Sequence, residues 1–214
     1  MLGRPELPPK HEGLSKNRLE ALTDGVYAIA ITLLVFELKV PEPGQVRTDA
    51  DLVKALWALA PKFTSWVISF LVLAIFWVAN HRLFQWVRSV DVKLLWISLF
   101  SLLAATFVPF ASALVGEFPA ALASQALYAA DMAALGLIAN WQLSHFVKHP
   151  ELCHSPLPHS VVRGARMRSW GTIATAALAV VIAVFDPRFG TIAFTLMLFI
   201  SLASRRYERR TGPR

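Results

Sequence analysis

The stretch RLEALTDGVYAIAITLLVFEL, residues 18–38, decides the fold. It reads as a membrane helix, yet Arg18, Glu20 and Asp24 crowd one end and Glu37 closes the other. Between Asp24 and Glu37 lie only twelve uncharged residues, about 18 Å of helix. That is too short for a hydrocarbon core of roughly 30 Å. The charged ends must therefore enter the interface or the membrane, where they are tolerable only against protein or water.

Helical spacing sorts this stretch into faces. Arg18, Leu22, Gly25, Ile29, Leu33 and Phe36 follow steps of three and four and form one stripe, with Thr32 beside Leu33 and Glu37 beyond it. Around an axis shared by several copies, the stripe would make a pore with an apolar constriction that gates by dewetting. Thr32 would offer a hydroxyl to a partly dehydrated cation, and Glu37 would attract cations at the outer mouth. The same periodicity also describes an ordinary buried helix whose apolar stripe packs in a core.

The rest of the chain is of the same kind. It has 214 residues, 56% hydrophobic and 16% charged, with mean hydropathy +0.51. Soluble domains carry about a quarter charged residues, so this composition is that of a membrane protein. Six helical spans are expected: 18–38, about 57–80, 94–116, 118–146, 170–185 and 189–204. The fourth is interrupted by Asp131, and the last two are short and joined by Asp186-Pro187-Arg188. Residues 1–14 are polar and proline-rich, with no signal-peptide pattern, and read as a disordered cytoplasmic tail. Residues 15–205 read as the six-helix transmembrane domain and 206–214 as a basic cytoplasmic tail.

Basic residues set the orientation. Six spans place both termini and the second-to-third and fourth-to-fifth connections on one side, which then holds sixteen of the 21 Lys and Arg. By the positive-inside rule that side is the cytoplasm. Topology and anionic lipid account for the net charge of +7 and for the terminal RRYERRTGPR. No nucleic-acid-binding fold accompanies this basic tail, so no nucleic-acid partner is expected.

Two motifs carry a family resemblance. The first is R-x-x-x-L-T-D-G-V-Y-A-I-A-I-T-L-L-V, Arg18 to Val35; the second is F-W-V-A-N-H-R-L-F, Phe76 to Phe84. Together they resemble the transmembrane protein 175 family of potassium channels in its prokaryotic six-helix form. The resemblance implies four subunits around one pore lined by their first helices, in a bacterial plasma membrane. It implies a constriction at Ile29, Leu33 and Phe36, with Thr32 in the position tied to potassium preference. It also implies a polar network of Arg18, Thr23, Asp24, Trp77 and His81. Leu22-Thr23 replaces the family's Phe-Ser, and Phe36 stands where a leucine is common. The expected partners are a homotetramer, membrane lipid and permeant monovalent cations, with potassium ions permeant and no cofactor. Independently of the family, the chain has no Thr-Val-Gly-Tyr-Gly filter, so selectivity must come from side chains or pore width and should be modest.

Other residues point elsewhere. Asp131, an acid inside a span, is a candidate proton or cation site, and a proton-coupled transporter using Asp131 is the alternative function. The bland reading is a hydrogen-bonded carboxyl inside the bundle. HFVKHPELCHSPLPH, residues 145–159, holds four of the six histidines and the single cysteine, Cys153. His145 and His149 are spaced for a metal on one helix face. Pro150 ends that helix, however, and the rest is expected to be a loop without fixed register, so no metal is expected. His-Glu-x-x-His, Gly-x-Ser-x-Gly and phosphate-loop patterns are missing, and an enzyme is not expected.

Overall fold

A computed structural model describes residues 15–211. The expected tail over residues 1–14 and the last three residues of the basic tail lie outside the described part. Among the described residues the chain is all helical. Helix α1 spans Lys16–Leu33 and continues as a 3-10 turn, Leu34–Glu37; α2 is Asp49–Ala58, α3 Ala60–Phe84 and α4 Val92–Glu117. Then come α5, Leu122–Lys148, α6, His159–Phe185, and α7, Leu196–Thr211, which is entered through short 3-10 segments. Six of these segments are long and apolar enough to cross a membrane: 16–37, α3, α4, α5, α6 and 187–208.

Three boundaries differ from the sequence expectation, each for a physical reason. The second span does not begin at Trp57. A separate helix, α2, ends there, started by a capping box in which Thr48 and Asp51 satisfy each other's backbone N–H. The fifth span begins at His159 rather than Trp170. Arg163 and Arg166 lie exposed on its N-terminal extension, and Arg168 is ion-paired with Glu208 and donates to Ser204 Oγ at 3.1 Å. Charge marks where this helix leaves the bilayer, not where it ends. The sixth span is helical through Thr211, so α7 carries the start of the basic tail with it.

Packing inside the bundle follows membrane rules. Small residues let helices approach closely. A Cβ added at Gly136 of α5 would meet Ile173 and the Ser169 carbonyl of α6 at 3.0 and 3.1 Å. The main apolar core runs from Tyr27, Ala30 and Leu34 of α1 through Val72, Ala105, Val108, Tyr128 and Met132 to Phe194. Polar side chains tie the spans laterally. Ser65 and Ser69 of α3 both bond Ser112 of α4, and Ser69 also bonds the Tyr128 hydroxyl of α5 at 3.0 Å. With no water available, each such pair satisfies groups that hydrocarbon would leave bare.

The His-rich connection is ordered, contrary to expectation. Its backbone pairs with the α3–α4 connection: Arg88 N–H donates to the Leu152 carbonyl at 2.7 Å, His154 N–H donates to Trp86 at 2.9 Å, and Val87 and Cys153 form an antiparallel bridge. His145, buried, binds both carboxylate oxygens of Asp91 at 3.1 and 2.9 Å. Asp91 in turn caps α4 by accepting from Leu94 N–H at 2.7 Å. His149 takes Glu151 instead, at 2.9 Å. Each imidazole thus has its own carboxylate, and no group of His, Cys, Asp and Glu fit for a metal exists among the described residues.

Candidate functional site on the first helix

Helix α1 presents two opposed faces. Leu19, Thr23, Tyr27, Ala30 and Leu34 are buried against α4 and α3. Their spacing of three and four makes them one stripe. Tyr27 is fixed there by a hydrogen bond to Ser101 of α4. The other face carries Arg18, Leu22, Gly25, Ile29, Thr32, Leu33 and Phe36, all exposed in the single chain. Ile29 is 60% exposed and Phe36 73%, on the side of the span away from that buried stripe. A Cβ on Gly25 would meet nothing within 4 Å, so this face is open along its length.

The change from α to 3-10 geometry after Leu33 has a local effect. A 3-10 turn has three residues per turn, so residues three apart eclipse. Phe36 therefore sits over Leu33 rather than stepping round the helix. The Thr32 hydroxyl donates to the Ile29 carbonyl at 2.9 Å. That bond leaves its oxygen lone pairs facing outward as acceptors. Glu37, at the end of the turn, is partly exposed.

A polar set lies beside this stripe. Trp77 of α3 donates its indole N–H to Asp24 Oδ1 at 2.8 Å. The Trp77 and His81 rings stack with centroids 5.8 Å apart, and His81 Nε2 lies 3.5 Å from Gln85 Nε2. Asp24, Trp77 and His81 are thus brought together. Thr23 is buried on the opposite face, and the Arg18 side chain makes no ion pair or hydrogen bond among the described residues. Six residues of helix turn Arg18 about 120° away from Asp24, so no intrahelical pair forms.

Sequence reasoning did not find the serine ladder, the Tyr27–Ser101 bond or the Asp91–His145 clamp. Ser65 and Ser69, four apart in an apolar span, were the available signal. Asp131 belongs to none of these sets; it faces a groove between α4 and α5.

Residues 18–109 match the family model described as "Endosomal/lysosomal potassium channel TMEM175". A potassium channel of Streptomyces collinus is 34% identical over 175 residues, covering 77% of this chain and 82% of that one. A potassium channel of Chamaesiphon minutus is 38% identical over 131 residues, 60% of this chain and 64% of that relative. The human endosomal/lysosomal proton channel TMEM175 is 46% identical over 83 residues, only 16% of its length. The crystal structure of a lysosomal potassium-selective channel TMEM175 homolog from Chamaesiphon minutus superposes with a TM-score of 0.76 at 29% identity, covering 88% of this chain and 97% of that one. Six spans in this order, the motif of the first helix and similarity over most of the Streptomyces relative and of the solved Chamaesiphon homolog lead to one conclusion: the chain belongs to the TMEM175 family.

Proposed function

We propose that the chain is a potassium-permeable cation channel in which four copies surround one pore lined by α1. The observation that carries this reading is the exposed face of α1. Ile29, Leu33 and Phe36 alone would suit acyl chains, but the same open face carries Arg18, the Thr32 hydroxyl and, beside it, Asp24, which would not. A second copy covering Asp24, Trp77 and His81, and water beyond the stripe, meet both needs at once. Ile29, Leu33 and Phe36 form the constriction, and Thr32 biases passage toward potassium. Glu37 concentrates cations at the outer mouth. Arg18 acts between subunits or toward the cytoplasm rather than as a partner of Asp24 in its own chain. Both termini are cytoplasmic, and the membrane is a bacterial plasma membrane.

The test is flux through the pure protein in liposomes under a potassium gradient, with sodium or caesium in parallel. Flux that prefers potassium, rises in Ile29→Asn and survives Asp131→Asn supports the channel. Saturable flux that vanishes in Asp131→Asn is a carrier and overturns it, as does the lack of flux from folded tetramers under every gradient.

A further inference from the structure

Asp131 is 7% exposed, and its Oδ2 has no hydrogen-bond partner among the described residues. It lies nine residues in from Leu122, about 14 Å along α5, near the middle of a hydrocarbon layer of roughly 30 Å. The carboxyl borders a groove of about 590 Å³ walled by Phe100, Leu103 and Phe107 of α4 and by Ala134, Ile138 and Trp141 of α5. This groove is open to the side, since Leu103 is 67% exposed. The Phe100 and Trp141 rings stack, with centroids 6.4 Å apart and planes at 23°. No basic side chain lines it. The one hydroxyl in its wall, on Thr106, already donates to the Leu103 carbonyl at 2.8 Å.

A carboxyl oxygen left bare inside a bilayer costs several kcal/mol. Acyl chains filling the groove would leave it bare. A molecule that satisfies it needs an N–H donor, best a charged one, at one end and an apolar body behind. The aromatic walls favour the same charge, because a cation over a ring face is attracted by its quadrupole. The volume lies within the range of small-molecule sites. We propose that this groove binds a lipophilic amine that enters from the bilayer. Its ammonium sits on Asp131 and its apolar body lies against Phe100, Phe107 and Trp141. The site is independent of the pore reading, since it shares no residue with the exposed face of α1.

Dansylcadaverine is a suitable probe: a primary amine on an apolar chain, with a fluorophore excited by energy transfer from tryptophan. It is titrated into the full chain in nanodiscs of zwitterionic lipid. The expected result is saturable tryptophan-sensitised emission, about one site per subunit. Asp131→Asn should weaken binding at least about tenfold, since it removes the charge that anchors the ammonium. The N-acetylated probe, which has the same body and no charge, should weaken to a similar degree. Ala134→Phe keeps the carboxyl and fills the groove, so it should also abolish binding, and it decides the matter if Asp131→Asn fails to fold. No saturable binding, equal binding by Asp131→Asn or by Ala134→Phe, or equal affinity of the acetylated probe would each overturn the site.

Discussion

Trp77 reaches from α3 to α1 and donates its indole N–H to Asp24 at 2.8 Å, on a face that the single chain leaves exposed. A hydrogen bond to a charged group contributes about 1.5–3 kcal/mol, most where water is excluded. Trp77→Phe keeps the ring stack on His81 and removes only the donor. It should lower the thermal stability of the assembled protein by about 2 kcal/mol per subunit and raise the monomer fraction in native mass spectrometry. An unchanged melting temperature and subunit count would mean that Asp24 finds its partners elsewhere.

Ile29→Asn replaces an exposed apolar side chain with a polar one and touches no core contact of its own chain. If the stripe is a dewetting constriction, the amide wets it. Lowering the barrier by about 1 kcal/mol raises conductance about fivefold. Single-channel recording in planar bilayers reads this directly; conductance equal to the unmodified protein's would move the constriction away from Ile29.

Thr32→Val keeps the shape and removes the hydroxyl that donates to the Ile29 carbonyl. The helix keeps its backbone bonds, so folding should change little. A coordination preference of about 1 kcal/mol corresponds to about a fivefold permeability ratio, and that part of the potassium-over-sodium preference should vanish. Reversal potentials under bi-ionic conditions measure it. A ratio unmoved by Thr32→Val would place selectivity in pore width alone.

Asp91 does two tasks, capping α4 and holding the buried His145 of α5. Asp91→Ala removes both, and the loss should reach about 2–4 kcal/mol, about 1 from the cap and the rest from the stranded imidazole. Asp91→Asn keeps a cap and should cost clearly less. Thermal melts in detergent compare the two; an Asp91→Asn melt equal to that of the unmodified protein would show that the clamp contributes nothing beyond the cap.

Cys153 is buried under the bridge with Val87. Burial, and then the nearby Glu151 carboxylate, push its thiol above the ordinary range. The thiolate is the reactive form, so iodoacetamide at pH 7.5 should label it far more slowly than a free thiol. Glu151→Gln removes one upward influence, lowers the thiol's pKa and should speed labelling. Labelling as fast as glutathione's would mean that the bridge opens readily.

The spans were legible where apolar runs are uninterrupted, as in α4; on the first helix spacing picked out the stripe but could not say whether it was open or buried. Legibility failed at Arg163, Arg166 and Arg168. Their charge forbids lipid but not helix, and sequence patterns cannot tell a helix that ends from one that leaves the membrane. The Asp91–His145 clamp was invisible because its halves lie 54 positions apart. Pro150 did stop α5, as expected, but the Leu152 carbonyl and the His154 N–H beyond it pair with residues 86–89, a pairing no local rule announces. The resemblance put Arg18 and Asp24 in one network; within a single chain, helical rotation sets their side chains about 120° apart.

The 3-10 turn at Leu34–Glu37 has a mechanical side. A 3-10 segment advances about 2.0 Å per residue, against 1.5 Å in an α-helix, and it is the less favourable of the two. Rewinding this one turn as α-helix would swing Phe36 about 60° around the axis relative to Leu33 and draw it inward by about 1.5 Å. Phe36 is therefore mounted on a short screw thread, so that a small axial pull on the chain beyond Leu38 turns into rotation of a bulky aromatic.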